Sequence, residues 1–110
     1  MDPDLLLTRL SRSKDLAPFR ALVEPLFRYD RERGSDLVRT LRVYFACGAN
    51  ASEAADKLFL HRNSLLYRLS RIERLTGKGL KNPEVGLILQ LGLLAAEGEE
   101  RRNTDADKHA

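Results

Sequence analysis

The chain has 110 residues, one domain's worth, and 43% of them are apolar, enough for a single core. Its lone cysteine, Cys47, excludes an internal disulfide and a cysteine-based zinc framework. The formal charge of +3 is unevenly spread: Arg62 to Lys81 holds six basic residues and only Glu73 as an acid, a local +5, while the other 90 residues sum to −2, the pattern of a nucleic-acid footprint.

In chain order, Asp2-Pro3 reads as an N-cap followed by proline at the first helical position. Leu6, Leu7 and Leu10 then form an apolar stripe that fades near Ser11 to Lys14. A second helix is expected from about Ala17-Pro18, with Phe19, Leu22, Val23, Leu26 and Phe27 at helical spacing. Pro25 is expected to break or kink it near Glu24. Tyr29 to Gly34 reads as a polar connector. Ser35 or Asp36 caps the next helix, whose buried face is Leu37, Val38, Leu41, Tyr44 and Phe45. Gly48 ends it.

Asn50 followed by Glu53 resembles a capping box that opens a short helix, Ala51 to Leu58. Phe59-Leu60-His61 is a tight connection, and Arg62 to Leu75 is a longer helix ended by Gly77. Asn82-Pro83 starts a last helix, expected to end near Glu97-Gly98. The remainder is charged and aromatic-free, and disorder is expected there. No stretch has a convincing strand period. The expected architecture is therefore all-α: an N-terminal helical segment (1–34), a helical bundle containing a helix-turn-helix (35–97), and a disordered charged tail (98–110).

The helix-turn-helix expectation rests on spacing. Two helices that cross steeply around a short turn need small residues on the first and large apolar ones at fixed later offsets. Ala54 and Ala55 are the small residues, Leu58 closes the first helix, Leu60 sits in the turn, and Leu65, Leu69 and Ile72 form the buried stripe of the second. At 100° per residue, Asn63, Tyr67, Ser70 and Arg74 fall opposite that stripe, with Ser64 and Arg71 beside them. The N-terminal part of such a recognition helix enters the major groove. His61, Arg62, Ser64 and Tyr67 are accordingly expected nearest base edges, with Arg62 able to donate two hydrogen bonds to a guanine, and Asn63 is expected to bind DNA as well. Arg68, Arg71 and Arg74 are better placed for phosphates.

The stretch Leu41 to Gly77, LRVYFACGANASEAADKLFLHRNSLLYRLSRIERLTG, resembles the C-terminal helix-turn-helix of PucR-type and CdaR-type (sugar-diacid regulator) bacterial transcription regulators. It is more distantly similar to the wingless Fis-type domain. The segment HRNSLLYRL, His61 to Leu69, carries most of the resemblance, which extends upstream through Leu26 to Leu41 and downstream through Thr76 to Leu93. It implies transcriptional control, double-stranded DNA as partner, and a signal-responsive region N-terminal to this domain. One departure is Leu66, where family members often carry a basic residue; the alternatives for a leucine there are a missing phosphate or base contact and contact with a thymine methyl.

Other classes fare worse. No Ser-His-Asp order, paired-carboxylate motif, phosphate-cradling glycine loop or metal cluster is present, so neither an enzyme nor a cofactor is expected. His61 reads as a helix cap that grazes DNA; the other histidine, His109, sits in the tail. With no leader sequence and no span-length apolar run, a cytoplasmic, nucleoid-associated protein is expected. The alternative function is a helical protein-interaction or dimerisation module without DNA binding. The helix from Pro83 to Glu97 is apolar on more than one side, through Val85, Leu87, Ile88, Leu89, Leu91, Leu93 and Leu94. A homodimer through it, with the Leu5 to Leu10 segment, or packing on further parts of a longer chain, is therefore expected; the alternative is a wide core helix in a monomer.

Overall fold

A computed structural model describes residues 2–108, and the side chains of residues 2–99. Among the described residues there are six α-helices and no strand: α1 (Pro3–Ser11), α2 (Ala17–Arg33), α3 (Leu37–Ala46), α4 (Ala51–Lys57), α5 (Arg62–Thr76) and α6 (Pro83–Lys108), with a short 3₁₀ turn at Lys14–Leu16. The all-α expectation holds. None of the described helices is long and apolar enough to cross a membrane. The helices form two compact units, residues 1–23 with 87–110, and residues 24–86; α2 and α6 contribute to both. These units cut the chain differently from the partition at 34/35 and 97/98 read from the sequence.

In the unit of residues 1–23 and 87–110, Asp2 caps α1 by accepting the Asp4 N–H at 3.1 Å, and Leu16, Val23, Leu89, Leu93, Ala95 and Ala96 are buried. Two glycines of α6 mark close approach. A Cβ on Gly92 would collide with the Phe19 carbonyl, and one on Gly98 with the Ser11 carbonyl. Gly98 is thus a packing glycine inside a helix, not its end. The expectation that the helix stops at Glu97-Gly98 is corrected, since the described backbone stays helical to Lys108. Residues 109–110, including His109, lie outside the described residues. The leucines of α1 are not a core stripe: Leu5, Leu6, Leu7 and Leu10 are each 40–51% exposed.

In the unit of residues 24–86, α3, α4 and α5 pack on one another pairwise. Leu41, Ala54, Ala55, Leu65, Leu69 and Ile72 are buried where they meet, and Leu26, Leu37, Val38, Tyr44, Leu80 and Val85 complete the apolar interior. Ala54 and Ala55 are 0% and 2% exposed. A larger side chain at either would force α4 and α5 apart, and overpacking of this kind costs about 1–3 kcal/mol.

The helix termini explain the connections. Asn50 accepts the Glu53 N–H at 3.0 Å, so the forward half of the capping box forms, while the Asn50 N–H goes to the Cys47 carbonyl. Both α3 and α4 end in Schellman turns. After α3, Ala49 N–H bonds Tyr44 O and Gly48 N–H bonds Phe45 O; after α4, Leu60 N–H bonds Ala55 O and Phe59 N–H bonds Asp56 O. The left-handed position of the first is Gly48, but in the second it is Phe59, at φ 56°.

Of the break or kink expected at Pro25, the break is corrected: α2 continues through Pro25 to Arg33, and the segment read as a connector is its last turn, followed by Gly34 at φ 61°. An interior proline costs about 3 kcal/mol. Val23 and Leu26, on either side of it, are fully buried, each contributing about 1.5–3 kcal/mol. The carbonyl left without a donor is that of Ala21, an exposed residue that water can reach.

Continuing the helix to Arg33 places Asp30 where it caps α3. Its carboxylate accepts the N–H groups of Leu37 at 2.8 Å and Val38 at 3.0 Å and the Ser35 hydroxyl at 2.5 Å. Asp36 holds the N-cap position, yet its side chain makes no cap bond. The cap is supplied from six residues away.

Candidate nucleic-acid interface

The periodicity of α5 separates two faces. Leu65, Leu69 and Ile72 are 0%, 7% and 0% exposed and anchor the helix. Asn63, Tyr67, Ser70 and Arg74 are exposed on the opposite side, with Ser64 exposed and Arg71 half-buried beside them, and His61 and Arg62 are exposed at the N-terminal end of the helix. His61 occupies the N-cap position with extended backbone, but its side chain makes no cap hydrogen bond. The capping role expected for the imidazole is therefore corrected: the ring is free of the helix end. The first turn of α5 contains no acidic residue, so its unpaired N–H groups and positive dipole end face outward without a carboxylate to screen them.

The basic side chains differ in how they are held. Arg62 and Arg74 have no hydrogen-bond or ion-pair partner among the described residues and project freely. Arg71 donates to the Tyr67 hydroxyl at 2.6 Å, one helical turn back. Its guanidinium lies 5.5 Å from the Tyr67 ring centre and 5.9 Å from that of Tyr29. The Tyr67 hydrogen bond, then the charge interactions with Tyr67 and Tyr29, push its pKa upward, so Arg71 is cationic at any working pH. Arg68 is different. Half-buried, it turns back to the helix bundle, where Nη1 donates to Thr40 Oγ1 at 3.2 Å. Of the three arginines assigned to phosphates from the sequence, it is the one engaged by the core.

Glu73, the single acid of the basic stretch, is also occupied. Its Oε2 accepts the Leu80 N–H at 2.8 Å and so pins the loop that follows α5. Gly77, at φ 71°, ends the helix with its N–H on the Glu73 carbonyl at 2.9 Å. The acid of this segment therefore serves the loop and forms no ion pair with the neighbouring arginines.

Beside the exposed face runs a groove of about 520 Å³, with Asn63, Ser64, Tyr67, Arg68 and Arg71 on one wall and Tyr29 and the 34–37 turn on the other. Of the expected site residues, Asn63, Ser64, Tyr67, Arg68 and Arg71 line this groove; Tyr29, which the sequence did not single out, lines it too, with Arg33 beside its ring. The signal was the i, i+4 spacing of Tyr29 and Arg33, legible only if that segment is helical. Leu66 is 38% exposed, and Tyr67 63%, so both reach the surface of α5.

Comparison with known proteins agrees with this geometry. The family model for the PucR C-terminal helix-turn-helix domain matches residues 37–95. The chain is 37% identical over 91 residues to the purine catabolism regulatory protein of Bacillus subtilis, covering 83% of this chain and 17% of that protein. It is 38% identical over 73 residues to the carbohydrate diacid regulator of Escherichia coli (66% and 19%), and 32% identical over 82 residues to the proline-responsive transcriptional activator PutR of Bacillus subtilis (74% and 18%). The chain thus spans about a fifth of the length of these curated relatives. No solved structure matches it significantly. The resemblance seen in the HRNSLLYRL segment is confirmed, and the relatives are regulators, not enzymes. The chain belongs to the family of PucR C-terminal helix-turn-helix domains, a DNA-binding class.

Proposed function

We propose that this chain is the sequence-reading, double-stranded-DNA-binding domain of a bacterial transcriptional regulator, with α5 lying in the major groove. The observation that carries the reading is the division of α5: three apolar residues anchor it, and the face opposite them, Asn63, Tyr67, Ser70 and Arg74 with Ser64 and Arg71 beside them, carries basic and polar groups and no acid. Arg62, Asn63, Ser64 and Tyr67 lie at the end that enters a groove in this motif class. Arg62, exposed and without a partner among the described residues, suits a bidentate contact to guanine. Arg71 and Arg74 suit phosphates, which fix register. Leu66 suits a thymine methyl. Selection of bound duplexes from a random pool tests the reading: a recovered consensus supports it, and an unenriched pool contradicts it.

The same proposal includes a homodimer, a cytoplasmic location and an N-terminal sensory region in the parent protein. The exposed leucines of α1 favour the dimer. Leu7 of α1 and Leu94 of α6 line one cleft, with Leu87 on α6 also 59% exposed. Exposed leucines that cluster favour an interaction surface. A symmetric pair would set two recognition helices about 34 Å apart, or a multiple of that, and predicts an inverted repeat in the selected sites.

A further inference from the structure

The C-terminal turn of α2 carries two residues that neither the helix-turn-helix motif nor the family match over residues 37–95 includes, Tyr29 and Arg33. The Arg33 guanidinium lies 5.7 Å from the centre of the Tyr29 ring, and the Arg71 guanidinium lies 5.9 Å from the same centre. Arg71 is in turn hydrogen-bonded to Tyr67 on the outward face of α5. One aromatic ring therefore gathers a cation from α2 and a cation from α5 beside the face that carries Asn63, Ser64 and Tyr67.

The nearby acids do not neutralise this pair. The Asp30 carboxylate is committed to Ser35 and to the N–H groups of Leu37 and Val38. Asp36, on the groove wall, receives Arg39 at 3.3 Å. Glu32 is exposed, and no described ion pair joins it to Arg33 or Arg71. Arg31, two residues before Arg33, does have an acid partner, Glu24 at 3.4 Å. Holding two guanidinium groups against one ring, with no carboxylate bridging them, is unfavourable between like charges and favourable toward an anion that both can reach. Arginine forks match phosphate oxygens, and the ring keeps the forks preorganised through cation–π contact.

We infer that Arg33, positioned by Tyr29, is a DNA-phosphate contact outside the helix-turn-helix, and that it acts with Arg71 to clamp the backbone beside the groove that α5 reads. The inference rests on the proposed DNA reading and adds to it a contact from α2. Such a contact fixes register and carries no base information, so it acts equally on all sequences.

The test uses the 110-residue chain, a random-sequence duplex and a duplex recovered by selection, with binding measured across a salt series. Arg33→Gln keeps helix propensity and removes the charge. Arg31→Gln removes an equal charge two residues away, on another side of α2, and serves as the control. The expected result is that Arg33→Gln weakens both duplexes by the same factor and makes the slope of log K against log salt shallower by about 0.9, one phosphate's worth, while Arg31→Gln leaves the slope as in the unmodified chain. An unchanged slope for Arg33→Gln, or an equal change for Arg31→Gln, overturns the inference. If the unmodified chain binds with a steep slope and Arg62→Ala loses the selected duplex while Arg33→Gln changes nothing, the α2 contact falls and the DNA reading stands. If the unmodified chain binds neither duplex, both fall.

Discussion

Arg68 and Thr40 are joined across the α3–α5 interface. Arg68 Nη1 donates to Thr40 Oγ1 at 3.2 Å, and Thr40, fully buried, donates the same hydroxyl to the Asp36 carbonyl at 2.7 Å. A residue that looks from the sequence like one more phosphate ligand thus ties the recognition helix to the helix behind it. The consequence is measurable by a double-mutant cycle. Thr40→Val and Arg68→Met should each destabilise the fold, by about 1–2 kcal/mol, since a hydrogen bond to a charged group contributes more than a neutral one. The coupling energy in denaturant unfolding should be on the order of 1 kcal/mol. Strict additivity would remove Arg68 from this role.

Asp30 makes a second such prediction. Its carboxylate serves two N–H groups of α3 as well as Ser35, so Asp30→Ala leaves the helix start uncapped. Loss of a cap typically costs about 0.5–2 kcal/mol, and two N–H groups place the expected loss at about 2. Asp36→Ala, at the nominal cap position, should cost far less because the Asp36 side chain makes no cap bond. Urea unfolding of the two variants checks the ordering; a larger loss for Asp36→Ala would contradict it.

Phe59 supplies a prediction of opposite sign. It sits in the turn of the helix-turn-helix at φ 56° and is 94% exposed. A left-handed conformation costs a residue with a side chain about 1–2 kcal/mol, and here almost no burial offsets it. Phe59→Gly should therefore raise stability by about 1 kcal/mol, less the extra entropy that glycine loses on folding. Thermal unfolding reads this directly, and a lowered melting temperature would show that the exposed ring stabilises the turn.

These residues also show what a sequence can reveal about this fold. Asp2, Asn50 and Asn82 were legible as caps because each bonds an N–H two or three residues on, within reach of local pattern reading. Leu65, Leu69 and Ile72 were legible because burial on one helix face imposes a period. Asp30 was not, since its partners lie seven and eight residues away and exist only once α2 continues past Pro25. That continuation depends on burial of Val23 and Leu26, a tertiary effect that outweighs the local preference of proline. Gly98 was misread for the same reason: a glycine that ends a helix and one that admits a neighbouring backbone are identical in sequence. Tyr29 and Arg33 then dropped out of the candidate site along with the helix that positions them.

Self-association is tested through α1 and α6. The exposed leucines of α1 and Leu87 predict that sedimentation at micromolar concentration yields a dimer. Leu7→Lys, at a position 51% exposed, should shift it toward monomer with little change in melting temperature, because the fold does not bury that side chain. A monomer in the unmodified chain would contradict the dimer.

The measurement that tests the central claim most directly is competition binding of the chain, Arg62→Ala and Arg71→Ala to a selected duplex and a random one over a range of salt. For the unmodified chain, affinity should fall steeply with salt. Arg62→Ala should lose about 1–3 kcal/mol on the selected duplex and less on the random one, as loss of a bidentate base contact requires. Arg71→Ala should weaken both alike and make the salt slope shallower. Salt-independent binding, or equal losses for both variants on both duplexes, would contradict the claim that the outward face of α5 reads DNA with Arg62 at the bases and Arg71 at the phosphates.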